Sequence, residues 1–213
     1  MLAIYLFIGG TAALHKWNLK NPLDTDAAFR IIWVGTVTHD ANGITPNGTT
    51  GYGDTKLNGS TQSLNNNSHT SVYSRTNTQG DNMDIGCYDG ASAFWGIKPW
   101  EVSGNLFVGT YRFTSDGFIQ VANTTSLGFY LESRVSSGAA EAYKNGASVG
   151  TTTTTTQAIP NANVAIGARG GSVASFSDHN IAFASIGTGL SAAEGLALYN
   201  AVQAYQTALG RNI

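Results

Sequence analysis

The sequence predicts an all-β sandwich that ends in one α-helix, and three stretches carry that prediction. Between residues 127 and 135, Leu127, Phe129, Leu131, Ser133 and Val135 fall on one face of an extended chain, and Tyr130, Glu132 and Arg134 on the other. This is the period-two signature of a half-buried strand, with the second set directed away from the apolar face. From Glu141 to Val149, Asn145-Gly146 supplies the two positive-φ residues that a tight type I′ turn needs. The period then changes: Ser191-Ala-Ala-Glu194 is a capping box, and Leu198, Val202, Tyr205 and Leu209 form one helical stripe. Gly210 is placed to end that helix, which is expected over residues 191–209 against the outside or one end of the sandwich.

Composition agrees. At 213 residues and 42% hydrophobic, the chain can fill one core, so residues 1–213 are expected to form a single domain. Only 11% of residues are charged, against the usual quarter, and Thr, Asn and Ser beside 26 Gly carry the polarity instead. A net charge of -2 and a pI of about 6.0 provide no electrostatic footprint for nucleic acid or an anionic membrane, so neither is an expected partner. Cys87 is the single cysteine, which excludes an intramolecular disulfide and a thiolate metal site and suits a buried structural thiol.

The elements follow in order. Residues 1–8 are apolar but short and lack the basic start of a signal peptide, so they are expected to be a buried first strand, made without a cleaved leader. Asp24-Thr-Asp-Ala-Ala can start a helical turn. Residues 29–38, rich in Ile, Trp and Val, predict a strand, and 39–67, dominated by Asn, Gly and Thr, predict turns with one short strand near Tyr52. Further strands are expected at 71–76, 83–88 (Met83, Ile85 and Cys87 on one face), 93–97, 106–113 and 118–122, with Ser115-Asp116-Gly117 as a turn. The threonine run 151–156 predicts an exposed edge strand or a loop. Residues 164–168 and 181–186 close the β portion.

Several of these segments resemble the concanavalin A-like lectin/glucanase superfamily, on its laminin G-like side. The carriers are Gly43-Ile-Thr-Pro-Asn-Gly-Thr-Thr-Gly-Tyr52, Phe129-Tyr-Leu-Glu-Ser-Arg134, Tyr143-Lys-Asn-Gly146, and Val164-Ala-Ile-Gly167 leading to Ile181-Ala-Phe-Ala-Ser-Ile-Gly187. The ending through Leu198-Tyr-Asn-Ala-Val202 is similar to single-domain relatives in phage and bacterial surface proteins. The resemblance implies a jelly roll of two antiparallel sheets.

Chemistry is sparser. The superfamily's best-known glycosidases carry Glu-x-Asp-x-x-Glu on one strand, and Glu101, Glu132, Glu141 and Glu194 do not form it. Polysaccharide lyases of the superfamily use Arg, Gln, His and Tyr; Arg112, Gln120, His69 and Tyr111 are present without a matching motif. No cofactor is expected, with calcium the alternative. Asp81 and Asp84 offer hard oxygens for it, but without a third carboxylate nearby both are read as Asx turns. Sugar binding needs an aromatic platform beside amides or carboxylates, which makes Tyr88, Asp89, Trp95 and Trp100 the candidate glycan-binding residues. Trp95 and Trp100 equally suit a core or a subunit contact. Asn47, Asn58, Asn66 and Asn123 begin glycosylation sequons of the kind that arise by chance in such a composition.

The expected function is therefore a noncatalytic virion or cell-surface protein of fibre, decoration or adhesion type. Its expected partners are copies of itself in a homo-oligomer, other virion or surface proteins, and glycans. A dedicated lectin and a polysaccharide-cleaving enzyme are the alternatives.

Overall fold

A computed structural model describes residues 1–91, 93–110, 117–156 and 158–213. In chain order the first half contains β1 (Ala3–Tyr5), α1 (Ala12–His15), a 3-10 turn (Asp26–Ala28), β2 (Ile32–Val34), β3 (Val37–Asp40), β4 (Gly43–Pro46), β5 (Tyr52–Asn58), β6 (Ser68–Ser74), β7 (Ile85–Tyr88) and β8 (Phe94–Lys98). The second contains β9 (Asn105–Thr110), β10 (Phe118–Ala122), β11 (Gly128–Ser136), β12 (Ala139–Lys144), β13 (Ala147–Thr152), β14 (Asn163–Ile166), β15 (Gly170–Gly171), β16 (Ile181–Gly187) and α2 (Ala192–Ala208). The strands form two sheets. Sheet A runs β13-β12-β11-β6-β16-β4-β3 with β1 added to β16, and sheet B runs β10-β9-β8-β7-β14-β5-β2 with β15 added to β7. Pairing is antiparallel except for β15 beside β7. The fold is thus the two-sheet antiparallel sandwich with a C-terminal helix that the sequence predicts.

The hairpin forms as expected: Asn145 and Gly146 have φ of 51° and 79° between β12 and β13. Other boundaries shift. The single strand expected at 29–38 is two strands in different sheets, because Gly35 at φ 64° turns the chain between β2 and β3. β4 lies within the stretch assigned to turns, and the strand near Tyr52 runs seven residues. Met83 precedes β7 and does not share a face with Ile85 and Cys87; its sulfur lies over Gly86 and Gly96. The strand expected at 106–113 is β9 as far as Thr110; residues 111–116, including the expected turn at Ser115 and Asp116, lie outside the described residues. Thr151 and Thr152 end β13, an edge of sheet A.

The core sits between the sheets. From sheet A it takes Ala3, Tyr5, Val72, Tyr130, Ala142, Ala184 and Ile186, and from sheet B Leu57, Ile85, Cys87, Trp95, Ile97, Val108 and Val164. Burial of such side chains contributes roughly 1.5–3 kcal/mol each and is the main force that closes the sandwich.

A second cluster forms on the outer face of sheet A, where α2 lays Val202, Leu198 and Tyr199 over Tyr73, Phe129, Leu131 and Phe183. The helix begins at the expected capping box: Ser191 N–H donates to Glu194 Oε2 at 2.8 Å, and Ser191 Oγ accepts from the Glu194 amide at 3.4 Å. Gly210 follows its end at φ 66°. Leu209 departs from the expected stripe, being 44% exposed; Gln206 takes the buried place and donates to Ala182 O. Arg211 then anchors the tail. It is buried and donates to the carbonyls of Leu6, Phe7, Ala41 and Ala182 and to Gln206 Oε1.

Candidate functional site

Strand β11 decides where chemistry is placed. Its apolar set, Phe129 and Leu131, faces α2, so Tyr130, Glu132 and Arg134 point into the sandwich. The strand is therefore buried on both faces: the polar set does lie opposite the apolar one, as the period requires, but inside the sandwich. Glu132 is fully enclosed, and its Oε2 accepts from Trp95 Nε1 of the opposite sheet at 2.8 Å. Its Oε1 has no hydrogen-bond partner among the described residues. Burial pushes the carboxyl up to about 7, against the smaller opposing effects of the Trp95 hydrogen bond and the nearby Arg134. Arg134 sends Nη1 to the carbonyls of Ser136, Ser137 and Thr154.

The expected glycan-binding stretch is accordingly divided. Trp95 faces the core with 0% exposure, so it cannot present a ring to a sugar and is withdrawn as a platform. Alternation along β8 dictates this, because Phe94 and Trp95 must point to opposite faces. Tyr88 lies half-buried on the outer face of sheet B under the Arg169 guanidinium, 5.0 Å from the ring centroid. Asp89 accepts from the Ala91 and Ala93 amides at 2.9 and 3.2 Å, holding the β7–β8 turn. Trp100 is half-buried just beyond β8.

The two carboxylates considered for calcium separate. Asp84 is enclosed, accepting from Ser177 Oγ at 2.7 Å and from His179 Nδ1 at 2.8 Å, while exposed Asp81 pairs with Lys98 and Ser175. They do not converge on one cation position, because Asp84 turns into the fold and Asp81 out of it. His179 faces Thr78 O with its other nitrogen; Asp84 and the carbonyl together hold its pKa above the usual value despite burial, the largest opposing effect. Among the described residues no group of three or more His, Cys, Asp or Glu could hold a metal. Of the residues considered for lyase chemistry, exposed Gln120 lies on β10 of sheet B and His69 is buried on β6 of sheet A, so they do not share a site. Tyr111 and Arg112 lie outside the described residues. Asn123, a sequon residue, is buried and donates to Pro99 O, Thr125 O and Tyr130 Oη.

The outer face of sheet B is the partly solvent-facing surface with convergent aromatic and polar groups. The half-buried rings of Phe107 and Phe118 meet at a tilt of 44° with centroids 4.4 Å apart, joined by Phe94 at 5.5 Å from Phe107, and Lys98 Nζ lies 5.6 Å from the Phe107 ring. Across the sheet, Tyr52, Asp54 and Asn163 border a cleft of about 230 Å³ floored by Ala165 and Gly170. Sequence placed Tyr52 on a short strand but assigned neither it nor the Asp54–Asn163 pair to a site. The alternation of Tyr52, Asp54 and Lys56 with Gly53, Thr55 and Leu57 was the available signal. A second cleft of about 190 Å³ lies on sheet A beside the start of α2, bordered by Ser133, Glu141, Tyr143 and Thr151.

No family model matches the chain, and no curated protein matches it. Solved structures do share its fold. Domain 4 of AbnA, a GH43 extracellular arabinanase from Geobacillus stearothermophilus solved with arabinotriose, superposes with a TM-score of 0.57 at 19% identity, covering 78% of this chain and 82% of that one. The Trypanosoma rangeli sialidase matches with a TM-score of 0.59 at 11% identity, over 81% of this chain and 30% of the sialidase. The receptor binding domain of botulinum neurotoxin C/D mosaic serotype matches with a TM-score of 0.58 at 10% identity, over 94% of this chain and 51% of that one. The chain thus spans about half or less of the toxin and sialidase chains it matches. At these identities the likeness is one of fold alone: a two-sheet β-sandwich.

Proposed function

We propose that this chain is a noncatalytic recognition module of the concanavalin A-like, laminin G-like kind, acting as a single jelly-roll domain on a virion or cell surface. In that role it serves as a fibre, decoration or adhesion protein, assembles as a homo-oligomer and engages glycans through the outer face of sheet B. The observation that carries the reading is the asymmetry of the two outer faces. Helix α2 covers much of sheet A, whereas sheet B leaves Tyr52, Tyr88, Phe107 and Phe118 half-buried among Asp54, Asn163 and Gln120. Rings beside fixed amides and a carboxylate are the surface that saccharides require. Among the described residues Asp54 is the carboxylate bordering the sheet B cleft and Glu141 the one bordering the cleft beside α2, whereas glycoside hydrolysis ordinarily uses a pair.

Two measurements test the proposal. A glycan array is expected to return specific binding, and light scattering a symmetric oligomer. Specific binding by a monomer points to a dedicated lectin. Release of reducing or unsaturated sugar ends from a polysaccharide panel overturns the noncatalytic assignment.

A further inference from the structure

We infer that the cleft between β5 and the turn around β15 is a saccharide site. It takes one unit of a neutral glycan, whose adjacent hydroxyls meet Asp54 and Asn163 while its apolar face lies on Tyr52. This rests on the glycan reading of the proposed function and assigns it a place and a ligand class.

The geometry starts from register. Tyr52 and Asp54, two residues apart on β5, emerge on the same outer face, and small Ala165 stands opposite Asp54, so the floor is low. Asn163 shares the face of Ala165, and a register shift sets Asn163 and Ala165, two apart on β14, against Asn58 and Asp54, four apart on β5; Asn163 Nδ2 donates to Asp54 Oδ1 at 3.1 Å. Such bulges re-aim side chains at functional sites. On the far side Gly171, at φ 78°, approaches the Tyr88 carbonyl so closely that a Cβ would collide with it, so the wall there is backbone at Gly170 and Gly171, with Val173 beside it.

Asp54 is fixed before any ligand arrives. It accepts from the Lys56 amide at 2.8 Å and from Lys56 Nζ at 2.9 Å, besides Asn163. A carboxylate so held can accept from a sugar hydroxyl without losing side-chain freedom on binding. Asn163 Oδ1 forms no hydrogen bond among the described residues, which leaves an acceptor beside that carboxylate for the neighbouring hydroxyl. Lys56 neutralises Asp54, so the cleft has no net charge to attract an acidic sugar, while a cationic ligand would compete with Lys56. Arg169, the other cation nearby, is engaged with the Tyr88 ring and Ser172 O. The ring of Tyr52, 6.2 Å from that of Phe176, borders the opening and supplies the apolar platform.

The test uses the full chain and a panel of neutral arabino-, xylo-, manno- and cello-oligosaccharides, with titration calorimetry on the tightest binder. Tyr52→Ala and Asn163→Ala are each expected to weaken binding about tenfold or more. Val135→Ser and Leu196→Ala, remote on the sheet A side, are expected to leave it within about twofold. On the unmodified chain, amide resonances of Asp54, Gly170 and Gly171 are expected to shift on titration, which decides the matter if a variant fails to fold. Full affinity in both cleft variants with shifts confined elsewhere, as around Trp100 or Phe107, overturns this site and leaves the glycan reading standing. Absence of binding across the panel overturns this site, and absence on the glycan array as well overturns the glycan reading.

Discussion

Replacing Glu132 by Gln tests the unusual interior of this sandwich. In the native chain the carboxyl is fully buried between Trp95 and Arg134 and its pKa is pushed from the usual 4.5 up to about 7. A group whose folded pKa lies above its unfolded one binds its proton more tightly in the folded state. Its contribution to stability is complete below pH 4.5 and is lost as pH rises through 7. The difference of about 2.5 pH units corresponds to about 3 kcal/mol at ~1.36 kcal/mol per unit. Glutamine keeps the acceptor for Trp95 Nε1 and cannot ionise, so this pH-dependent loss disappears. Urea unfolding of both proteins at intervals from pH 4 to 8.5 provides the measurement. Subtracting the curves removes the titration of other groups, and the variant is expected to gain about 3 kcal/mol on the native chain between the two ends. A difference constant within about 1 kcal/mol across that range would refute the placement of Glu132 in a dry interior.

Other predictions follow from the same structure. Arg211→Ala removes the donor from four backbone carbonyls and is expected to cost about 3 kcal/mol or more in urea unfolding, with Arg211→Lys recovering part of it; a loss under about 1 kcal/mol contradicts the anchoring role. His69 is held down to about 4, chiefly by burial, with Nδ1 on Thr188 O at 2.6 Å and Nε2 on Ser185 Oγ at 3.1 Å. Its contribution is therefore present above pH 6.5 and lost as pH falls towards 4, and His69→Gln should flatten that acid limb in thermal melts. His179 has the opposite sign. Its pKa is raised, so the stability it gains from Asp84 is present below pH 6.5 and fades as pH rises through the folded value. Asp84→Asn should abolish that alkaline loss, read by the same melts, and lower the His179 pKa measured by NMR titration.

Local rules suffice for elements whose contacts lie close along the chain. The 145–146 turn and the Ser191–Glu194 capping box depend only on residues within hydrogen-bonding reach along the chain, and both formed as expected. The split of 29–38 at Gly35 and the presence of β4 were not legible, because each depends on a partner strand distant in sequence: β5 for β2 and β16 for β4. The candidate site behaved likewise. Tyr88 and Asp89 could be placed on a turn from sequence, but the cleft joins Asp54 to Asn163, which are 109 residues apart.

Alternation in residues 127–135 determined that Phe129 and Leu131 share one face and Tyr130, Glu132 and Arg134 the other, because successive side chains in a strand must diverge. It also determined the sandwich class, the hairpin and the helix that ends the chain. Only the tertiary structure decided which face looks inward. Docking of α2 provides the apolar residues of β11 with a partner outside the sheet, so the polar set could turn into the sandwich, where Trp95 meets Glu132. The period of a strand is a property of its own backbone; what covers each face depends on every other element.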